Sequence, residues 1–124
     1  MRLNWGAFTG IFLLLASCNY YQGKIGTTLG PGPGEKLTFA VINQYMTTPF
    51  CLRCHNSEVT KGGVDFSLPY EQYVSDGLIT PGNPSDSLYF TEIRDGSMPE
   101  SGPKPSEALI KMVKAWIENG APKE

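Results

Sequence analysis

The sequence predicts a small all-α domain of short helices joined by long loops. Three observations carry this. Apolar residues recur at three- and four-residue spacing in several short stretches. No useful length of chain alternates with period two. Residues that cap, start and stop helices bracket the periodic stretches. The chain has 124 residues, enough for one domain.

The first segment is not part of that domain. Arg2 precedes an apolar run from Ala7 to Ala16 that has signal-peptide length and is too short to span a bilayer. Leu15-Ala16-Ser17-Cys18 resembles a bacterial lipobox. In lipoproteins of that kind the chain is cut before the cysteine, which is then acylated. Residues 1–17 are therefore expected to be a lipoprotein signal peptide and Cys18 a lipidated residue; an ordinary signal peptide with a stray cysteine is the plainer alternative. Residues 19–34 hold five glycines and two prolines without helical period. They read as a flexible tether with a reach of roughly 20–25 Å; the alternative is a loop packed on the domain. The domain then runs from residue 35 to 124. So small a unit buries only about two-thirds of its surface and is marginal without a staple.

Within the domain, residues 36–47 carry two apolar stripes, Phe39/Ile42/Met46 and Leu37/Val41/Tyr45. Pro49 is expected to break or kink this helix, with Thr48 capping a second short turn. Gly62 and Gly63 mark a turn. Residues 67–75 predict a short helix burying Tyr70, Tyr73 and Val74. Asn83-Pro84-Ser85-Asp86 is a helix start, with Leu88, Tyr89 and Ile93 inward and Gly96 as the stop. The clearest helix is capped by Ser106, carries Leu109, Ile110, Met112, Val113, Trp116 and Ile117, and ends at Gly120 and Pro122.

Cys51-Leu52-Arg53-Cys54-His55 is the stretch with the most specific chemistry. Cys-x-x-Cys-His is the pattern of covalent c-type haem attachment. On one helical turn, positions 51, 54 and 55 share a face. Both thiols can add to the vinyl groups of one porphyrin, and the imidazole lies beneath the ring, able to bind iron. A thiol redox pair would want a βαβ context that is absent. Structural zinc would want four Cys or His ligands, and the chain has three Cys and one His, with Cys18 otherwise used. A covalent porphyrin would also supply the missing core element.

Haem iron with one histidine has a sixth position to fill. No second histidine exists, and of the four methionines Met1 is removed with the leader. Met46 and Met112 lie on apolar helical faces and read as core. Met98 stands in a polar, helix-breaking loop, where its type is best explained by reaching inward. Pro99 biases its backbone to an extended form suited to pointing a side chain across a cavity. A thioether here would raise the potential relative to two histidines.

These residues resemble a known family. The region from Phe39 to Pro122 looks like a class I c-type cytochrome domain, close to the planctomycete type. The resemblance rests on Cys51-Leu52-Arg53-Cys54-His55, Lys61-Gly62-Gly63-Val64-Asp65, Pro81-Gly82-Asn83-Pro84-Ser85-Asp86-Ser87-Leu88, Met98-Pro99, and Ala115-Trp116-Ile117-Glu118-Asn119-Gly120-Ala121-Pro122. It implies a small cytochrome c-like fold around one covalent haem c, thioethers at Cys51 and Cys54, a proximal ligand at His55 and a distal ligand at Met98. It implies crossed first and last helices, with Phe39 and Trp116 near the contact. Pro49 departs from the pattern, since the first helix often continues into the motif in such domains. A backbone carbonyl, with Pro81 as the candidate, is expected to hold the His55 Nδ1–H. Arg53, Lys61 and Arg94 are either propionate partners or surface charges. Phe50, Tyr73 and Tyr89 are either porphyrin neighbours or core.

The formal charge is -2, with no basic cluster, which argues against nucleic acid. A weakly acidic domain would favour a partner with a basic docking patch. Three functions compete on this reading. The first is a monohaem single-electron carrier, held to a membrane of the cell envelope by Cys18 and exchanging electrons with redox protein partners. The second is a small-molecule sensor or enzyme with a displaceable Met98. The third is an envelope interaction protein with a structural haem. An electron-transfer role, not an enzymatic one, is the expectation, facing the periplasm, with the outer membrane weakly favoured by Asn19 after the lipidated cysteine.

Overall fold

A computed structural model describes residues 30–124. The leader, Cys18 and the tether up to residue 29 lie outside the described residues. The described chain is helical and contains no strand, only an isolated antiparallel bridge between His55 and Thr60. The all-α expectation holds. No described helix is long and apolar enough to cross a membrane.

Helix α1 (Phe39–Ile42) starts at Thr38, whose hydroxyl accepts from the Val41 N–H at 3.4 Å. It runs directly into a π-helical segment, Asn43–Cys51, that contains Pro49. This corrects the expected break: the helix reaches the Cys-x-x-Cys-His motif without interruption, and Thr48 starts no second turn. Proline lacks an N–H, and in an α-helix its ring crowds the carbonyl four residues back. The wider turn moves the pairing on by one residue, as in the 3.1 Å bond from Leu52 N–H to Thr47 O. The departure noted at Pro49 is thus absorbed by geometry.

A 3-10 turn follows at Lys61–Gly63, then helix α2 (Tyr70–Ser75), which begins after Pro69 and buries Tyr73. Asn83 caps a separate 3-10 turn, Pro84–Asp86, by accepting from the Asp86 N–H at 3.3 Å. The chain turns extended at Ser87 before helix α3 (Leu88–Arg94) begins. The buried Ser87 hydroxyl accepts from Thr80 N–H at 2.9 Å and donates to Asn83 O at 2.8 Å. Phe90 is buried with Tyr89 and Ile93, while Leu88, expected inward, is 47% exposed and lines the cavity described below.

Helix α4 (Glu107–Glu118) is capped by Ser106, whose hydroxyl accepts from the Leu109 N–H at 3.3 Å. It ends in a Schellman pattern: Gly120 has φ +89°, its N–H donates to Ile117 O, and Ala121 N–H donates to Trp116 O, each at 2.9 Å.

The two ends of the domain meet here. The rings of Phe39 and Trp116 stack with centroids 6.2 Å apart. Phe39 N–H and the Trp116 indole N–H both donate to Pro122 O at 3.0 Å. The core around them holds Ile42, Met46, Tyr73, Ile79, Val113, Met112 and Ile117. Met46 and Met112 are therefore packing residues, as their helical positions suggested.

Candidate cofactor site

The attachment motif sits where the π-helical segment ends. Cys54 N–H and His55 N–H both donate to Cys51 O, at 3.1 and 3.0 Å. This closes one helical turn and puts Cys51, Cys54 and His55 on one side. The loop beyond is tied back to the motif. Lys61 N–H donates to Cys54 O at 3.1 Å and Phe66 N–H to His55 O at 3.0 Å. Asn56 shapes the bend: its Nδ2 donates to Leu52 O at 2.6 Å, and its Oδ1 accepts from Glu58 and Val59 N–H at 2.9 Å.

Met98 arrives from the other direction. Helix α3 ends at Arg94, and the chain stays attached to it, with Met98 N–H donating to Glu92 O at 3.1 Å and the Ser97 hydroxyl to the same oxygen at 2.9 Å.

Cys51, Cys54, His55 and Met98 line one cavity of about 430 Å³. That volume is within the range of small-molecule and cofactor sites. Its wall is mainly apolar, with Phe50, Val64, Phe66, Leu78, Tyr89 and Ile93 contributing. Of the three aromatics considered from sequence, Phe50 and Tyr89 line the cavity; Tyr73 is wholly buried behind it and donates to Phe66 O at 2.6 Å. Phe66 was not foreseen. Its ring meets His55 edge to face at 5.4 Å and touches Tyr73 and Tyr89 at 5.3 Å each. It stands in an irregular stretch, where neither helical nor strand period marks a residue as inward. Val64 and Leu78 were missed for the same reason.

Four polar side chains on the wall, Tyr89, Glu92, Arg53 and Lys61, are already engaged. Tyr89 Oη shares a 2.9 Å hydrogen bond with Thr47 Oγ1, and burial pushes its phenol well above the ordinary range. Glu92 accepts from the Ser97 hydroxyl. Arg53 Nη2 donates to Ser101 O at 3.2 Å, and Lys61 pairs with Glu100. Arg94 is elsewhere: it pairs with Asp95 and lies over the Phe90 ring.

The residues fit a covalently held porphyrin. Both cysteines of the motif are free thiols on one turn beside the cavity. Burial pushes the Cys51 thiol up to about 12, so it is a poor thiolate nucleophile, contrary to the needs of a redox pair. Among the described residues no group of three or more His, Cys, Asp or Glu is placed to hold a metal ion together. His55 Nδ1 is buried and has no hydrogen-bond partner. The carbonyl expected from Pro81 is not there. Pro81 is an exposed turn residue, drawn away where Gly82 N–H donates to Ile117 O at 2.8 Å. The imidazole is oriented instead by the edge of Phe66 and by its own backbone bonds.

No curated protein and no solved structure matches the chain. Residues 51–102 match the model of a family described as Planctomycete cytochrome C, a span that begins at the first motif cysteine and includes Met98. With the helical fold and the four residues gathered on one apolar cavity, this match supports a cytochrome c domain, a family that implies covalently bound haem c.

Proposed function

We propose that the protein is a membrane-anchored monohaem cytochrome that carries single electrons, with thioether bonds at Cys51 and Cys54 and with His55 and Met98 as axial groups. The convergence of all four side chains on one mainly apolar cavity carries this reading. Bound there, haem c supplies a one-electron Fe(II)/Fe(III) couple. The chain does the rest. The motif turn presents both sulfurs to one side. Phe66 and the backbone bonds of residues 51–66 orient the imidazole. Phe50, Val64, Leu78 and Ile93 exclude water.

Engagement of the wall's polar groups favours an electron carrier over small-molecule activation, which needs a free distal donor. Tyr89, Arg53, Lys61 and Glu92 all have partners within the chain. The leader, the lipobox-like Cys18 and the usual extracytoplasmic placement of such domains support an envelope location, with the tether letting the domain reach redox protein partners near the membrane.

The test is the exported protein itself. Its visible spectrum should change reversibly between reduced and oxidised forms, the colour should remain with the chain after denaturation, and iron should analyse at one per chain. Colourless, folded, iron-free protein from a host competent in haem attachment overturns the reading. Met98→Ala should lower the potential and open the iron to carbon monoxide. Cys18→Ser should release the protein from the membrane fraction.

A further inference from the structure

Two cations on the attachment segment reach across the cavity mouth to the loop that carries Met98. Arg53 lies between the motif cysteines, and its Nη2 donates to Ser101 O at 3.2 Å. Lys61 is fixed to the motif by its backbone bond to Cys54 O, and its ammonium pairs with Glu100. All four residues line the cavity. Every other hydrogen bond of residues 97–104 among the described residues stays on the distal side. Met98 N–H and the Ser97 hydroxyl bond to Glu92 of helix α3, and Lys104 Nζ bonds to Gly96 O and Pro99 O. Among the described residues, the two cations are thus the only hydrogen-bonded ties between the attachment segment and residues 97–104.

Gly102 fits the same arrangement. It has φ +90°, and a Cβ there would lie 2.7 Å from Arg53 Nη2. A side chain at 102 would therefore push the guanidinium off its seat as well as strain the backbone.

We infer that Arg53 and Lys61 are positioning residues that latch the Met98 loop shut and so set how readily Met98 leaves its place. This rests on the reading of Met98 as the distal axial group. For these two cations it takes the place of both readings the sequence left open, propionate partner and surface charge. The latch has two parts with different physics. The Lys61–Glu100 pair is exposed, at 55% and 64% of the side chains, so salt screens it. The Arg53 bond goes to a neutral carbonyl and depends less on salt.

The test is carbon monoxide association with the reduced, haem-loaded protein, a rate limited by loop opening. At low ionic strength Lys61→Gln should raise the rate about three- to fivefold, the range an exposed pair can supply. Raising the salt should speed the unmodified protein toward the Lys61→Gln rate while leaving that variant unchanged. The charge exchange Lys61→Glu with Glu100→Lys should restore the slow rate. Arg53→Ala should accelerate binding at low and high salt alike, and Gly102→Ala should do the same without removing a charge. A merely structural role would give neither the salt dependence nor the rescue. If Met98→Ala opens the iron while all the latch variants bind at the unmodified rate, the latch is wrong and the ligand stands. If Met98→Ala itself leaves binding unchanged, the ligand assignment falls and takes the latch with it.

Discussion

The two sides of the cavity are built by different means. On the attachment side, Cys51, Cys54 and His55 are held by backbone hydrogen bonds within one turn, and the following loop is tied to that turn by two more. His55 is buried. On the opposite side Met98 is half-buried in an exposed loop, held partly by side chains reaching from across the mouth. Backbone bonds form with the fold and break with it. Exposed side-chain bonds open individually at little cost. The motif histidine is therefore part of the domain's architecture, and the loop methionine is adjustable without unfolding it.

That contrast can be broken most severely on the attachment side. Cys51→Ala combined with Cys54→Ala should leave a largely unfolded chain without covalent colour, because a domain of this size is marginal without its staple. A stable, native-like helical circular dichroism spectrum in the double variant would contradict the argument.

Phe66→Ala should cost about 2–3 kcal/mol, below the range for a fully buried phenylalanine because the ring is half-buried. Urea unfolding measures this, and the loss should exceed that of any latch variant, since Phe66 supports His55, Tyr73 and Tyr89 together. A stability unchanged within error would mean that the imidazole is oriented by the backbone alone.

Tyr89→Phe keeps the ring but leaves Thr47 Oγ1 buried without its partner, so about 1–2 kcal/mol should be lost. Its optical spectrum should stay that of the unmodified protein if the hydroxyl serves only Thr47. Smallest of the four, Ser106→Ala removes the cap of helix α4 and should cost about 1 kcal/mol with no change in carbon monoxide binding, because Ser106 does not line the cavity and makes none of the ties across its mouth. Faster binding in this variant would show that the loop responds to global stability and not to its own ties.

The sequence made legible whatever depends on local pattern. Helix α4, with Ser106 before it and Gly120 after it, could be read to the residue because propensity, period and caps agree. The four candidate side chains were nameable because their types are scarce: one histidine, two motif cysteines and one methionine in a loop and not on an apolar helical face. Less legible were features set by non-local geometry. Pro49 predicts a break in any α-helical reading, and only a wider helix reconciles it with continuity. Leu88 is 47% exposed because it faces the open cavity and not the packed core, which no period announces. The Pro81 carbonyl is not the acceptor for His55 because the turn at 81–82 is drawn toward helix α4. Arg53 and Lys61 could be recognised as cavity cations, but their partners lie 48 and 39 residues away.

The π-helical segment ahead of the first cysteine has an implication for related chains. A stretch wound more loosely than an ordinary helix holds slack, and slack can be taken up. A relative lacking Pro49 and one neighbouring residue could join the same two end points by tighter winding, leaving both sulfurs where they are. Insertions and deletions should therefore gather between residues 43 and 51, while the spacing inside the pentapeptide tolerates none.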